Sequence, residues 1–231
     1  MKQFLIGLII VVLVLVLVEV VALLRLRAQL TSHSQYWTAQ AALPIEPNAL
    51  TYVALGDSAA QGIGASHPTK GYVGLIADGL ARKTGRPVHV INLSVSGAKV
   101  ADAINKQLPE LNKLDLPADA VITIEIGANN MLSYDSAQFK TEINTLFAAL
   151  PPQTVVSDMP YFGGRAQGSN SNAFMASGII AEAAQKHGLK KAELYKISKA
   201  NNSIRSYAAD LFHPSDRGYQ NWYRAFWQQL D

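Results

Sequence analysis

The chain has 231 residues, of which 49% are hydrophobic, and a net charge of +3. This length allows one domain plus an appendage. The absence of cysteine excludes disulfides and thiolate metal sites, and no Lys- or Arg-rich block supports nucleic-acid binding. We therefore expect no nucleic-acid partner, and we also expect no metal and no cofactor.

The N-terminus carries an apolar run, Phe4 to Leu24, of 21 residues with Glu19 as its only charge. A helix of this length, at about 1.5 Å per residue, spans the roughly 30 Å hydrocarbon core of a bilayer. The alternative is a cleaved signal peptide with Lys2 as its charged start and Val20-Val21-Ala22 as its cleavage site. Signal-peptide apolar regions are shorter, so we predict a membrane anchor over residues 1–27.

The next segment, residues 28–49, shows little periodicity and contains Ser, Thr and two prolines, which is typical of a tether. Beyond it, runs typical of strands alternate with helical patterns, and this alternation predicts a parallel sheet covered on both faces. The predicted strands are Leu50–Leu55, Val88–Leu93, Ala120–Ile126, Thr154–Ser157 and Ala192–Ile197. The predicted helices are Gly71–Lys83, Lys99–Leu108, Ser136–Leu150, Asn172–His187 and a final helix from Asp216 or Gly218 to Leu230.

Two short motifs carry the residues of a nucleophilic hydrolase. Gly56-Asp57-Ser58 directly follows the first strand, and Asp210-Leu211-Phe212-His213 lies near the end of the chain. Serine is a weak nucleophile that needs a base, and the base needs an orienting group. Ser58, His213 and Asp210 supply these three roles, although Gly-Asp-Ser is also an ordinary turn sequence. Of the five histidines, only His213 has an acid at a useful spacing.

Two further polar segments follow predicted strands, Asn92–Ala98 and Ile126–Asn130. Open α/β sheets bind ligands at the carboxyl ends of their strands. With these four segments, residues 50–231 resemble the GDSL or SGNH hydrolases, whose four blocks carry a Ser, a Gly, an Asn and a His in that order. The matching residues are Ser58, Gly97, Asn129 and His213. The chain departs from the family pattern at Ala59, where Leu is common, and at Asn130, where Asp is usual.

The resemblance implies a flavodoxin-like, three-layer α/β/α fold with a five-stranded parallel sheet, preceded here by one transmembrane helix. It also implies an oxyanion hole made by the backbone N–H groups of Ser58 and Gly97 and the side-chain amide of Asn129. The sequence leaves open whether Asn129 or Asn130 points inward. The α/β-hydrolase fold is an alternative, but its Gly-x-Ser-x-Gly elbow is absent from the chain.

These observations predict a membrane-tethered serine esterase that hydrolyses a small-molecule or lipid acyl ester through an acyl-serine. One alternative is an acyltransferase or O-acetylesterase acting on a cell-envelope glycan. Another is a catalytically silent binding module. Lys2 on one side of the apolar run and Arg25 and Arg27 on the other nearly balance under the positive-inside rule. Since many proteins resembling this family are exported, we expect the domain outside the cytoplasm. Acyl length and oligomeric state stay open.

Overall fold

The computed structural model describes residues 2–164 and 167–231, and at its centre lies a sheet of five parallel strands. The strand order is β2-β1-β3-β4-β5, the order of flavodoxin-like folds. This confirms the predicted fold class. The strands are β1 (Leu50–Gly56), β2 (Val88–Asn92), β3 (Val121–Glu125), β4 (Val155–Ser157) and β5 (Lys190–Ala192).

Seven helices accompany the sheet in the described part of the chain. They are α1 (Lys2–Ala41), α2 (Tyr72–Thr84), α3 (the consecutive segments Val100–Asp102, Ala103–Gln107 and Leu108–Leu111), α4 (Ser136–Ala149), α5 (Asn170–Lys186), α6 (Leu194–Ala200) and α7 (Asp216–Leu230). The middle segment of α3 is π-helical. It ends two residues before Pro109, which has no N–H for a regular helical bond.

The strands alternate their side chains between two hydrophobic layers. Val53 and Leu55 of β1 pack in the layer that contains α3, α4 and α5. Tyr52 and Ala54 pack in the other layer, with α2, α6, α7 and the end of α1. This period of two follows from the pleat of a strand.

The fifth strand differs from the prediction of Ala192–Ile197. The structure has a strand over Lys190–Ala192 and the helix α6 from Leu194. Leu194 and Ile197 are three residues apart, so on a helix both face the core layer that contains them. A carboxylate oxygen of Asp158 also accepts the N–H of Tyr195, at 2.8 Å, in the first turn of α6. Core packing and this cap favour helix over strand.

The segment predicted as a tether is largely helical, because α1 continues to Ala41. His33 and Trp37 on its inner face are buried, with 5% and 4% of their surfaces exposed. Both rings bond the carbonyl oxygen of Gln61, at 3.2 Å from His33 Nδ1 and 3.1 Å from Trp37 Nε1. The helix ends three residues before Pro44. The division of the chain into anchor, tether and hydrolase domain stays a prediction.

The first part of α1 projects away from the domain. Its most apolar 18-residue window has a mean hydropathy of 3.1, and none of it is buried. In the described part of the chain this is the one helix long and apolar enough to cross a membrane. By the same criteria it is a candidate membrane anchor or signal sequence.

Candidate active site

The four sequence blocks meet at the carboxyl edge of the sheet. Ser58 lies in the turn after β1, Gly97 lies in the loop after β2, and Asn129 lies in the short 3-10 helix after β3. His213 lies in the loop before α7. Parallel strands end at one edge, so these residues converge although up to 155 positions separate them.

Ser58, His213 and Asp210 form a continuous chain of hydrogen bonds. Ser58 Oγ is 2.9 Å from His213 Nε2, and His213 Nδ1 is 2.5 Å from Asp210 Oδ2. Since a carboxylate only accepts, Nδ1 carries the proton and Nε2 faces the serine as the acceptor. This is the order of groups that a serine nucleophile requires.

A tight turn holds Asp210 beside His213. Asp210 Oδ1 accepts the N–H groups of Phe212 and His213, each at 3.0 Å. Leu211 has a φ of 55°, in the left-handed region that costs a non-glycine residue about 1–2 kcal/mol. Partial burial raises the pKa of Asp210, but the hydrogen bond and the charge of His213 outweigh it and lower the pKa below its ordinary value. Asp210 is therefore an anion when it orients the imidazole.

Two backbone donors near Ser58 are free in the described part of the chain. The structure records no protein acceptor there for the N–H of Ser58 or of Gly97. Gly97 has a φ of +82°, and a Cβ added to it would meet no atom within 4 Å. Glycine is therefore needed here for its backbone conformation, and not because another group approaches its Cα.

The side chain of Asn129 lies against Asp57, the residue before the nucleophile, and its amide nitrogen already has two partners. Nδ2 donates to Asp57 Oδ2 and to the carbonyl of Ala98, both at 3.1 Å. The reverse amide orientation would place Oδ1 against two acceptors, so this assignment is unambiguous. Asn130 has another task, since its Oδ1 accepts the N–H of Val100, at 3.2 Å, at the start of α3. The assignment of Asn129 rather than Asn130 to the oxyanion hole stays a prediction.

A pair of buried acids lies behind the nucleophile, and sequence reasoning missed its importance. Asp57 is 2% exposed and Glu125, which pairs with Gly56 across the sheet, is 1% exposed. Burial raises the pKa of Asp57 to about 6, although the N–H of Ala59 and the nearby His213 lower it. Burial raises the pKa of Glu125 well above its ordinary range, and Asp57 raises it further. The sequence signal that could have predicted a buried acid here was a Glu at the end of an apolar run.

Two glutamines fix the turn that carries Ser58. Gln107 is buried in the π-helical part of α3 and bonds both the N–H of Gly56, at 2.9 Å, and its carbonyl, at 2.8 Å. Gln61 Nε2 donates to the carbonyl of Ser94, at 2.9 Å, and its Oε1 accepts from Ser96 Oγ, at 2.6 Å. These amides join the nucleophile turn to α3 and to the loop that holds Gly97. No sequence pattern marks either glutamine.

The loop between β4 and α5 contacts the histidine loop through Phe162. The rings of Phe162 and Phe212 stack at 5.9 Å, and Phe212 meets His213 edge-on at 5.1 Å. Arg165, which lies in this loop, is outside the described residues. Within residues 2–164 and 167–231, no group of three or more His, Asp or Glu side chains is placed to hold a metal ion.

Residues 54–220 match the GDSL-like lipase/acylhydrolase family. This match spans well over half of the chain, and the protein belongs to that family. The fold, the four blocks and their convergence at the carboxyl edge are those of an SGNH hydrolase. No curated protein matches the sequence significantly.

Solved structures with this fold include several hydrolases. A variant of an acetyl xylan esterase from Geobacillus stearothermophilus has a TM-score of 0.63 and 17% identity, covering 78% of this chain and 94% of its own. A lipase/acylhydrolase from Enterococcus faecalis has a TM-score of 0.62 and 22% identity, covering 78% and 95%. An α/β hydrolase from the metagenome of Lake Arreo has a TM-score of 0.65 and 18% identity, covering 78% and 95%. At these identities the likeness shows the fold.

Proposed function

We propose that this protein is a serine esterase that hydrolyses acyl esters through a covalent acyl-serine. The observation that carries the proposal is the hydrogen-bonded chain from Ser58 Oγ through His213 to Asp210. Family membership and the names of two solved neighbours, an acetyl xylan esterase and a lipase/acylhydrolase, support ester hydrolysis as the reaction class.

In the proposed reaction, Ser58 Oγ attacks the ester carbonyl carbon while His213 Nε2 takes the serine proton. The carbonyl electron pair moves onto oxygen and forms a tetrahedral oxyanion. When the oxyanion collapses, the bond to the alcohol oxygen breaks and His213 returns the proton to that oxygen. A water molecule then attacks the acyl-serine in the same way, with His213 again as base and then acid. Asp210 stabilises the imidazolium in both halves.

The oxyanion would be stabilised by the N–H groups of Ser58 and Gly97 and by the amide of Asn129. The first two are free to donate, as described above. Asn129 has both amide hydrogens engaged, so it contributes by exchanging its bond to Ala98 or Asp57 for one to the oxyanion. Donors that gain a partner as charge develops stabilise the transition state more than the bound substrate.

The long apolar helix suggests where in the cell the proposed esterase acts. We infer that residues 1–27 anchor the protein in a membrane and that the catalytic domain lies outside the cytoplasm. The length of the apolar segment supports an anchor over a signal peptide. The continuation of α1 into a docked helix supports it as well, because cleavage near Ala22 would leave the docked part with a frayed end.

A fluorophosphonate probe tests the proposed nucleophile directly, because it forms a covalent bond only with an activated serine. We expect the full-length protein to be labelled, and Ser58→Ala to lose both labelling and hydrolysis of a soluble aryl ester. Ser133→Ala is the matched control, because Ser133 is an exposed serine at the same edge. Equal labelling of wild type and Ser58→Ala would contradict the proposal.

A further inference from the structure

The docked part of α1 runs along the sheet from its carboxyl edge to its amino edge. Gln29 bonds the backbone at the carboxyl edge, where its Nε2 donates to the carbonyl of Ala65 and its Oε1 accepts the N–H of Gly64, both at 2.9 Å. Eleven residues later, Gln40 lies beside the amino ends of β1 and β2, near Ala49 and Val88. The rest of α1, before Gln29, therefore projects beyond the carboxyl edge.

This direction places the catalytic edge next to the membrane that α1 enters. The apolar run ends at Leu24, five residues before Gln29, and five helical residues extend about 8 Å. The double hydrogen bond of Gln29 makes the helix rigidly continuous with the domain at this level. A bilayer around residues 4–24 would therefore have its surface within about 10 Å of the loops that carry Ser58 and His213.

Several exposed apolar side chains of the domain lie at the same edge. From residue 50 onward, the large apolar side chains with more than a third of their surface exposed are Val95, Leu132, Phe174, Met175, Ile204 and Leu211. Val95 follows β2, Leu132 follows β3 and is 76% exposed, and Leu211 lies between Asp210 and His213. Exposed apolar side chains beside a site are compatible with a surface that contacts lipid.

An apolar groove of about 750 Å³ lies in the angle between α1 and this edge. One wall is the face of α1 with Leu17, Val18 and Val21, which belongs to the candidate membrane span. The floor includes Gly64 and Ala208, which adjoin the catalytic loop. A methyl group built on Gly64 would lie 2.9 Å from His213 Cβ. The groove thus lies between the candidate membrane span and the backbone beside the histidine loop.

Two positively charged side chains lie at the polar margin of the groove. Arg25 and Arg217 both line it and are exposed, and neither forms an ion pair within the described residues. The third charged lining residue, Asp216, is already bonded to the N–H and hydroxyl of Ser66, at 2.7 and 2.6 Å. This margin therefore favours an anionic group beside an apolar chain, which is the chemistry of an acidic lipid.

We propose that the catalytic edge faces the bilayer and that the substrate is an acidic ester lipid of the membrane that holds the protein. Its acyl chain lies in the groove between α1 and the domain, and its anionic headgroup lies near Arg25 and Arg217. The inference rests on the proposed esterase activity and on the membrane anchor. It adds the substrate class and the membrane from which the substrate comes.

A two-vesicle experiment tests the proposal with the full-length protein. The protein is reconstituted in phosphatidylglycerol-containing vesicles carrying a lysophosphatidylglycerol with one fluorescent acyl chain. Protein-free vesicles carrying the same lipid with a second fluorophore are then added. We expect the fatty acid of the protein's own vesicles to be released at least tenfold faster than that of the others. Equal release from the two populations, or none from either, would overturn the proposal.

Two substitutions in α1 distinguish the effect of filling the groove from a general effect of changing the anchor. Val21→Trp fills the groove, and it should slow release of the vesicle lipid at least tenfold more than it slows hydrolysis of the soluble aryl ester. Val20→Trp, at the neighbouring position outside the groove, should change neither rate. If Val21→Trp behaves like Val20→Trp, the groove does not hold the chain. If the wild type hydrolyses the aryl ester but not the lipid, this inference fails while the proposed esterase stands. Hydrolysis of neither substrate defeats both.

Discussion

The side-chain amide of Asn129 donates to a carboxylate oxygen of Asp57, the residue before the nucleophile, at 3.1 Å. This bond connects the third sequence block to the first through a carboxyl group that is almost completely buried. It fixes the direction of the amide before any substrate is bound. Because the carbonyl of Ala98 takes the other amide hydrogen, one of the two bonds must be exchanged before the amide can donate to an oxyanion.

Asn129→Ala should lower kcat by about 10²–10³ and leave KM nearly unchanged, because one oxyanion donor acts mainly in the transition state. Steady-state kinetics on an aryl ester, with a melting temperature for each variant, checks this. Asn130→Ala should keep its kcat and lose some stability, because Asn130 caps α3. If Asn130→Ala loses the activity and Asn129→Ala keeps it, the role of the two amides is reversed.

Substitutions in the Asp210–His213 pair should separate proton transfer from orientation. His213→Ala should lose about as much activity as Ser58→Ala, roughly 10⁶-fold, because members of such a triad act as a unit. Asp210→Asn should lose roughly 10⁴-fold, because it keeps an oxygen for the N–H groups of Phe212 and His213 but presents an N–H to the imidazole. Asp210→Ala should also lower the melting temperature. Equal kcat for Asp210→Asn and wild type would remove Asp210 from the mechanism.

Glu125 should make the protein less stable as the pH rises. Its carboxyl oxygens have no hydrogen-bond partner within the described residues, and Asp57 and Tyr72 face it. Because its pKa is raised in the folded state, the folded protein holds a proton that the unfolded chain releases above about pH 4.5. The free energy of unfolding therefore falls as the pH rises above that value.

Glu125→Gln removes this titration, so its melting temperature should decline less than that of the wild type between pH 5 and pH 8. Thermal unfolding in detergent at several pH values measures the difference. Glu46→Gln, at an exposed position, is the control and should follow the wild type. Parallel curves for Glu125→Gln and wild type would show that Glu125 does not titrate in this way.

The docked half of α1 should be part of the folded domain. Trp37→Ala should destabilise the protein by about 3–5 kcal/mol, because it empties a buried aromatic site and leaves the Gln61 carbonyl without its indole donor. Gln35→Ala, at an exposed position of the same helix, should change the melting temperature little. Deleting residues 2–27 should give a soluble active protein, and a further deletion to Ala41 should not. An equally stable protein after the longer deletion would contradict this role.

Much of the fold follows from local pattern in the sequence. The alternation of apolar runs and helical spacing predicted the parallel sheet, and Gly56-Asp57-Ser58 and Asp210-x-x-His213 identified two ends of the site. These features are local, because a strand shows a period of two and a turn shows its own residue types. The fifth strand was placed wrongly because Leu194 and Ile197 fit a short helix as well as a strand, and packing decided between them. The helical face of residues 29–40 was missed although His33 and Trp37 stand four residues apart.

The tertiary structure alone decided the contacts between distant segments. Gln107 binds Gly56, and Gln61 joins the nucleophile turn to the Gly97 loop. Glu125 lies close to Asp57. No local sequence pattern predicts any of these three contacts. Hydrogen bonds and desolvation depend on which groups meet in space, so the raised pKa of Asp57 and the engaged amide of Asn129 exist only in the folded chain. The direction in which α1 passes the catalytic edge was likewise decided by tertiary contacts. The apolar run predicts a helix that could enter a membrane, and only its docking through Gln29 shows at which edge of the sheet this helix leaves the domain.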